Sequence, residues 1–315
     1  GDVYKRQFTP TIPLSTMSTS KASIAILGLN GKLGKHVINA INSGIFDSKI
    51  QFPVKAITRK EGHTSTDKIE YIVSPETSVE DTHLIDSLKG IDVFIDLTGA
   101  SPEASEKVKQ IVTKIKPQLF IPSQFGSDVE QVQKYAPGFL AKKTQLSQSI
   151  RQLGIKVVDI YTSFFAIPGS VLYDMVTPVG IFEDGIHLIG DIDQKFSISK
   201  LEDIGRVVLS VATHKPYKDL PDTIHVASDT VTVKDVIDQY EKSKGTKLNI
   251  VSKKSAEEGK KEFLDKYNAG FDFNDFVFYL QTIIAQGVDK GVYFGKLDNE
   301  LVNPNESLWK WSKYP

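Results

Sequence analysis

Three glycines spaced three residues apart, in Gly28-Leu29-Asn30-Gly31-Lys32-Leu33-Gly34, close the apolar run SIAILGL (23–29) and open a helical pattern. Small residues at such a junction permit a tight turn and close backbone approach, and the free N–H groups of the helix end receive a pyrophosphate. The candidate contacts for a dinucleotide are therefore Gly28, Asn30, Gly31, Lys32, Leu33 and Gly34. The spacing is G-x-x-G-x-x-G and not G-x-G-x-x-G, so a ligand-free glycine turn is the competing reading. Its place at the first strand-to-helix junction favours the ligand. A Walker A loop is excluded, because Gly34-Lys35 is followed by His36 and Leu29 stands five places before Gly34.

The second apolar run ends in Thr58-Arg59-Lys60, where an NAD site carries an acid for the ribose hydroxyls. Two cations, Arg59 and Lys60, suit a 2′-phosphate, so the expected cofactor is NADPH (NADP). Ordinary solvated charges are the alternative.

These groups need a scaffold, and the chain supplies one from Ala22 onward by alternating β-rich runs with helical segments. Strands are predicted at 23–29, 52–58, 69–73, 91–97, 117–123 and 155–161, several of them continuous Val/Ile/Leu/Phe runs of the kind buried on both faces. Leu33, Val37, Ile38 and Ile41 recur at helical spacing before Ser43-Gly44, and 103–116 and 139–153 behave similarly. The expected fold is α/β, a doubly wound parallel sheet (Rossmann) with a smaller C-terminal α/β cap lobe. Residues 21–165 form the dinucleotide-binding domain and 166–315 the substrate or cap lobe, with parts of 197–229 returning to the sheet.

After Gly169 the rhythm changes, with turns at Glu183-Asp184-Gly185 and Gly190-Asp191. Helix is predicted at 201–213, strand at 223–229, and helix again at VKDVIDQYEKSKG and over an aromatic-rich stretch at 262–281. Residues 1–20 read as a disordered leader with neither signal nor transit pattern, and Met17 as a plausible true start.

Composition excludes several chemistries. With no cysteine, thiolate nucleophiles, disulfides and cysteine-zinc sites are ruled out, so redox chemistry requires a bound cofactor. Charged residues are 24% of the chain and nearly cancel to a net −1, which offers no field for nucleic acid or an anionic membrane. The longest apolar stretch, 276–288, is broken by Gln281 and Gln286 and falls short of a membrane span. A cytoplasmic protein with a small-molecule substrate is expected.

The fifth strand runs into Phe120-Ile121-Pro122-Ser123-Gln124-Phe125-Gly126-Ser127-Asp128. This string resembles the F-[LI]-P-S-E-F-G-x-D signature of isoflavone-reductase-like and phenylcoumaran-benzylic-ether-reductase-like proteins, and is similar to the P-S-x-[FW]-G segment of NmrA-like proteins. AKKTQLSQSIRQLG, IKVVDIYTSFFAIPG and SISKLEDIGR follow in the order expected of that branch of the atypical short-chain dehydrogenases. The resemblance implies that Thr98 and Gly99 lie where the cofactor crosses the sheet, that Ser123 and Phe165 flank the nicotinamide, and that Lys143 is the catalytic acid/base, with Lys142 its rival. It departs from the pattern at three points: Gln124 stands for glutamate, Ser163 for asparagine, and Val73-Ser74-Pro75 lacks an acid.

Two activities are compatible with these residues. One is an NADPH-dependent oxidoreductase passing hydride to a small aromatic or conjugated carbonyl-type substrate; the other is a non-catalytic NADP(H) sensor that regulates a protein partner. The Tyr240/Lys244 pair mimics the ordinary short-chain dehydrogenase spacing but lies beyond the sixth strand and is read as coincidence. The six histidines show no metal-binding spacing and no G-x-S-x-G elbow occurs, so no metal is expected. The aromatic cluster from Phe263 to Tyr279 is core or pocket wall.

Overall fold

Alternating apolar side chains in the first half of the chain serve two cores at once, and a sheet results that is covered on both sides. Ile24 and Ile26 of β1 (Ala22–Leu27) face one core while Ala25 and Leu27 face the other. In the computed structural model, which describes residues 20–99, 101–167 and 177–315, β1 is joined by β2 (Ile50–Thr58), β3 (Ile69–Val73), β4 (Val93–Asp96), β5 (Leu119–Ile121) and β6 (Lys156–Val157). The six strands are parallel in the order 3-2-1-4-5-6. The order reverses between β1 and β4, which opens a crevice at their carboxyl ends. The leader, Met17 and the change of rhythm at Gly169 lie outside the described residues.

Helices α1 (Lys32–Asn42), α2 (Thr82–Ser87), α3 (Pro102–Ile115), α4 (Val129–Gln133) and α5 (Ala141–Arg151) follow the strands. Leu84, Val108, Ile111 and Ile150 cover the Leu27/Phe94/Phe120 face. Val37 and Ile41 of α1 cover the opposite face. Helix α3 starts sharply because Ser101 accepts the Ala104 N–H and Pro102 occupies the first turn.

The predicted strand 155–161 changes partner in mid-course. Its first part is β6, but at Val158 the chain leaves β5, and β7 (Asp159–Tyr161) pairs instead with a later strand. The following strands are β8 (Phe164–Phe165), β9 (Ile181–Phe182), β10 (Gly185–Ile189), β11 (Lys195–Ser199), β12 (Thr223–His225), β13 (Asp229–Thr232) and β14 (Ile250–Lys254). β12 lies parallel to β7, and β11 lies between β8 and β13. β10 separates β9 from β14 in a third small sheet.

The remaining helices are α6 (Leu201–Ala212), α7 (Val233–Lys244), α8 (Ala256–Asn268), α9 (Phe276–Ala285) and α10 (Asn299–Val302). α6 packs on α1 at Gly205, where a Cβ would come within 2.5 Å of the His36 carbonyl oxygen. The single helix predicted at 262–281 is in fact two. Gly270, at φ +128°, takes a conformation closed to other residues, and Asp272 caps a 3₁₀ turn at Phe273–Asp275 before α9 begins. Phe263 and Tyr279 on the two sides of this break enter a core with Phe139, Ile186 and Phe196. Among the described residues no helix is long and apolar enough to cross a membrane, and no cluster of side chains could hold a metal ion.

Candidate active site

The three glycines of the first turn do three different jobs. At Gly28, φ is +88° and a Cβ would lie 3.0 Å from Thr98 Cγ2, so only glycine lets the turn pass over the end of β4. At Gly34 a Cβ would meet the Leu29 carbonyl oxygen at 2.1 Å, which sets how closely α1 approaches the turn; Gly34 itself does not line the cleft. Gly31 has an ordinary φ of −79° and is the N-cap of α1. It offers no side-chain acceptor, and the first turn holds no acid. The positive end of α1 thus faces the crevice without a built-in counter-charge.

Opposite this turn, Asp96 at the end of β4 accepts the Thr98 N–H (2.9 Å) and the Thr98 hydroxyl (2.5 Å), fixing Thr98 over Gly28. Burial pushes the Asp96 carboxyl up to about 6, against the pull of those two hydrogen bonds.

From here a trough runs in both directions over the strand ends. On the β2 side a cleft of about 690 Å³ is lined by Asn30, Arg59 and Lys60. The Thr58 hydroxyl accepts the Lys60 N–H at 3.3 Å and donates to the Lys60 carbonyl at 3.2 Å, which shapes the turn presenting both cations. Neither Arg59 nor Lys60 has an ion pair among the described residues. Asn30 Nδ2 lies 3.2 Å from His63 Nε2, and the His63 ring stacks on Tyr71 at 4.9 Å, so a histidine not singled out in the sequence also lines this cleft.

On the β5 side a cleft of about 590 Å³ shares Gly28, Gly31, Thr98 and Gly99 with the first and continues along Lys32, Leu33, Ser123, Lys143 and Phe165. Its far wall is apolar, made by Phe164, Phe276, Leu280 and Val292. The floor is strained: Phe125 has φ +35° and Ser163 φ +56°. The strain is held because the Gly126 carbonyl accepts both the Thr162 (3.1 Å) and Ser163 (2.9 Å) N–H groups, and the Gly126 N–H donates to the Thr162 hydroxyl at 2.9 Å. Among residues other than glycine, asparagine tolerates a left-handed position best, so Ser163 holds its φ of +56° only through these bonds.

Lys143 stands on the first turn of α5 at the wall of this second cleft, half-buried, its Nζ donating to the Gln124 carbonyl at 3.2 Å. It has no ion pair among the described residues, and burial pulls its pKa below the ordinary lysine value. The positive end of α5 acts in the same direction. Lys142 is exposed and does not line this cleft, though it lines, with Lys143, a neighbouring one between α3 and α5. Tyr240 and Lys244 lie on α7, away from the trough.

A model of the NmrA-like family matches residues 20–300. The chain belongs to the NmrA-like family. Among its relatives, phenylcoumaran benzylic ether reductase 1 of Arabidopsis thaliana is 25% identical over 250 residues, covering 74% of this chain and 78% of the relative. An isoflavone reductase homolog of Zea mays is 23% identical over 244 residues, covering 73% and 76%. The solved binary complex of leucoanthocyanidin reductase and NADPH from Vitis vinifera superposes with a TM-score of 0.61 at 18% identity, covering 84% of this chain and 87% of that one.

Within this NmrA-like fold, sequence reasoning missed His63, Asp96 and the partners that hold Lys143. Asp96 carried a usable signal, being the last residue of β4 before Thr98. His63 carried none beyond standing five residues after Thr58.

Proposed function

We propose that this NmrA-like protein is an NADPH-dependent reductase acting on a small aromatic or conjugated carbonyl-type substrate. Residues 21–165 would hold the dinucleotide, and 166–315 would cover the substrate. One observation carries the reading: the amine of Lys143, without an ion-pair partner among the described residues, stands where the glycine-lined trough meets an apolar wall. The names of the relatives, a phenylcoumaran benzylic ether reductase and an isoflavone reductase homolog, support the same reaction class.

The residues present fit NADPH. Gly28, Gly31 and the first turn of α1 would cradle the pyrophosphate, with Asn30, Lys32 and Leu33 beside them. Arg59 and Lys60 would take the 2′-phosphate, Thr98 and Gly99 would support the crossing, and Ser123 and Phe165 would bound the nicotinamide. When bound, NADPH supplies a hydride. Lys143, as the ammonium, gives a proton to the substrate oxygen on which negative charge develops, and burial, which lowers its pKa, makes it a readier donor than an exposed lysine. Phe276 and Leu280 exclude water from the acceptor.

Two measurements test this reading. NADPH is expected to bind more tightly than NADH, and Arg59→Ala to remove about tenfold or more of that preference, because one charge-assisted contact is worth roughly 1.5–3 kcal/mol. Equal affinities in the native protein would place the cations outside the site. Enones, quinones and aldehydes assayed by NADPH consumption are expected to include an accepted substrate. Tight NADPH binding with no acceptor reduced would favour a dinucleotide sensor acting on a protein partner.

A further inference from the structure

Gln124 and Lys143 grip each other from opposite directions. Lys143 Nζ donates to the Gln124 backbone carbonyl at 3.2 Å, while Gln124 Nε2 donates to the Lys143 backbone carbonyl at 3.0 Å and to Ser147 Oγ at 3.2 Å. The Ser147 hydroxyl donates in turn to Asp159 Oδ1 at 2.6 Å, and Arg151 donates to Asp159 Oδ2 at 2.8 Å. Loop, helix and strand β7 are thereby joined by one buried chain of polar groups.

Two further features show that the amide is held in this orientation. Gln124 is only 5% exposed, yet its Oε1 is buried with no partner, so the amide is fixed by its two donated bonds at the cost of an orphaned acceptor. The backbone carbonyl that Lys143 meets is fixed as well, since the Gln124 N–H closes a tight turn onto the Pro122 carbonyl at 2.8 Å and Phe125 follows at φ +35°. A lysine stem has four rotatable bonds, so an amine that must meet a reacting atom needs such anchoring.

We propose that Gln124 is a positioning residue for Lys143, tying the first turn of α5 to the loop after β5 and, through Ser147 and Asp159, to β7. An amide makes this tie at every pH. A carboxylate at position 124 would face the Lys143 carbonyl and a Ser147 oxygen whose proton is committed to Asp159, so only its protonated form could make the bond. The ionisable groups around this network are Lys143 and Arg151 of α5, Asp159 and Tyr161 of β7, and Asp222, which pairs with Arg151 at 3.8 Å. With them stand Asp128 and Glu130 at the start of α4, where burial and the charges of Asp128 and Asp159 push the Glu130 carboxyl up.

The kinetic part of this inference rests on the reductase reading, so the test has one arm that needs no turnover. Trinitrobenzenesulfonate is reacted with the native protein, Gln124→Met and Gln124→Glu across a pH series, and the Lys143 and Lys142 peptides are quantified by mass spectrometry. In the native protein Lys143 is expected to titrate below the ordinary lysine range, and in Gln124→Met to move up toward it as its amine swings into water. Gln124→Glu should follow the native curve at low pH and the Met curve once the new carboxyl ionises. With an accepted substrate, Gln124→Met is expected to lower kcat by about tenfold or more while the NADPH Kd moves by less than about twofold.

An unchanged Lys143 titration in all variants overturns the proposal, as does a kcat loss matched by equal loss of NADPH affinity. If Gln124→Met does not fold by circular dichroism, Ser147→Ala breaks the next link and is held to the same two outcomes. If the native protein reduces no acceptor, the reductase reading fails, while the amine titration still decides the role of Gln124.

Discussion

Lys143→Met is expected to lower turnover by roughly 10²- to 10⁴-fold, the usual worth of one general acid/base group, with the loss falling on kcat. Methionine keeps the aliphatic length and removes the titratable amine, so the NADPH Kd should move little. Stability gives an internal control. Because burial lowers the Lys143 pKa, the folded protein binds fewer protons than the unfolded chain between the two pKa values, and stability rises with pH across that window. Below it, the buried ammonium is a cost that methionine removes, so Lys143→Met is expected to melt no lower than the native protein. The rate behaves oppositely: kcat falls as pH rises through the Lys143 pKa and the proton donor is lost, and this limb should vanish in the variant. Lys142→Met, at an exposed position, is expected to be silent. Damage by Lys142→Met with Lys143→Met silent would move the role by one residue.

Gly31→Val is expected to abolish NADPH binding while leaving the fold intact. Gly31 sits at φ −79°, open to any residue, and an added Cβ would lie 3.3 Å from the Gly28 carbonyl oxygen, close but tolerable. A branched side chain there fills the space at the start of α1. Losing two charge-assisted contacts of roughly 1.5–3 kcal/mol each implies on the order of 10²- to 10⁴-fold in Kd. The neighbouring glycines are unsuitable for this experiment: Gly34 has the Leu29 carbonyl oxygen 2.1 Å from the added carbon, and Gly28 has φ +88°, so substitution at either disturbs the fold first. Native far-UV circular dichroism with unchanged NADPH affinity in Gly31→Val would place the cofactor elsewhere.

What could be read from the sequence was what is local in it. The strand, glycine turn and helix from Ala22 to Asn42 are continuous, and the alternation of Ile24, Ala25, Ile26 and Leu27 is compatible with a sheet covered on both faces. Arg59 and Lys60 were visible because the cation pair directly follows β2. Harder to see was anything depending on where a chain changes neighbours. The run 155–161 is uniformly apolar apart from Lys156 and Asp159, so the passage from β5 to β12 at Val158 left no mark in the pattern. The split of 262–281 did have a signal in Gly270, but the aromatic spacing continues across it because both helices feed one core. The anchoring of Lys143 joins residues 124, 147 and 159, whose alliance no short motif records. Gln124 and Ser163 stood out only as departures from a familiar string, and their physical meaning came from a reciprocal hydrogen bond and a left-handed φ.

The most direct test of the central claim is to follow the hydride itself. NADPH carrying deuterium at the transferable position of the nicotinamide is incubated with the protein and the acceptor panel, and the products are analysed by mass spectrometry. Deuterium is expected in a reduced acceptor with the native protein, at a rate lower by roughly 10²-fold or more with Lys143→Met, and not at all with Gly31→Val. Bound NADPH that passes deuterium to no acceptor, or passes it equally well without the Lys143 amine, would contradict the account.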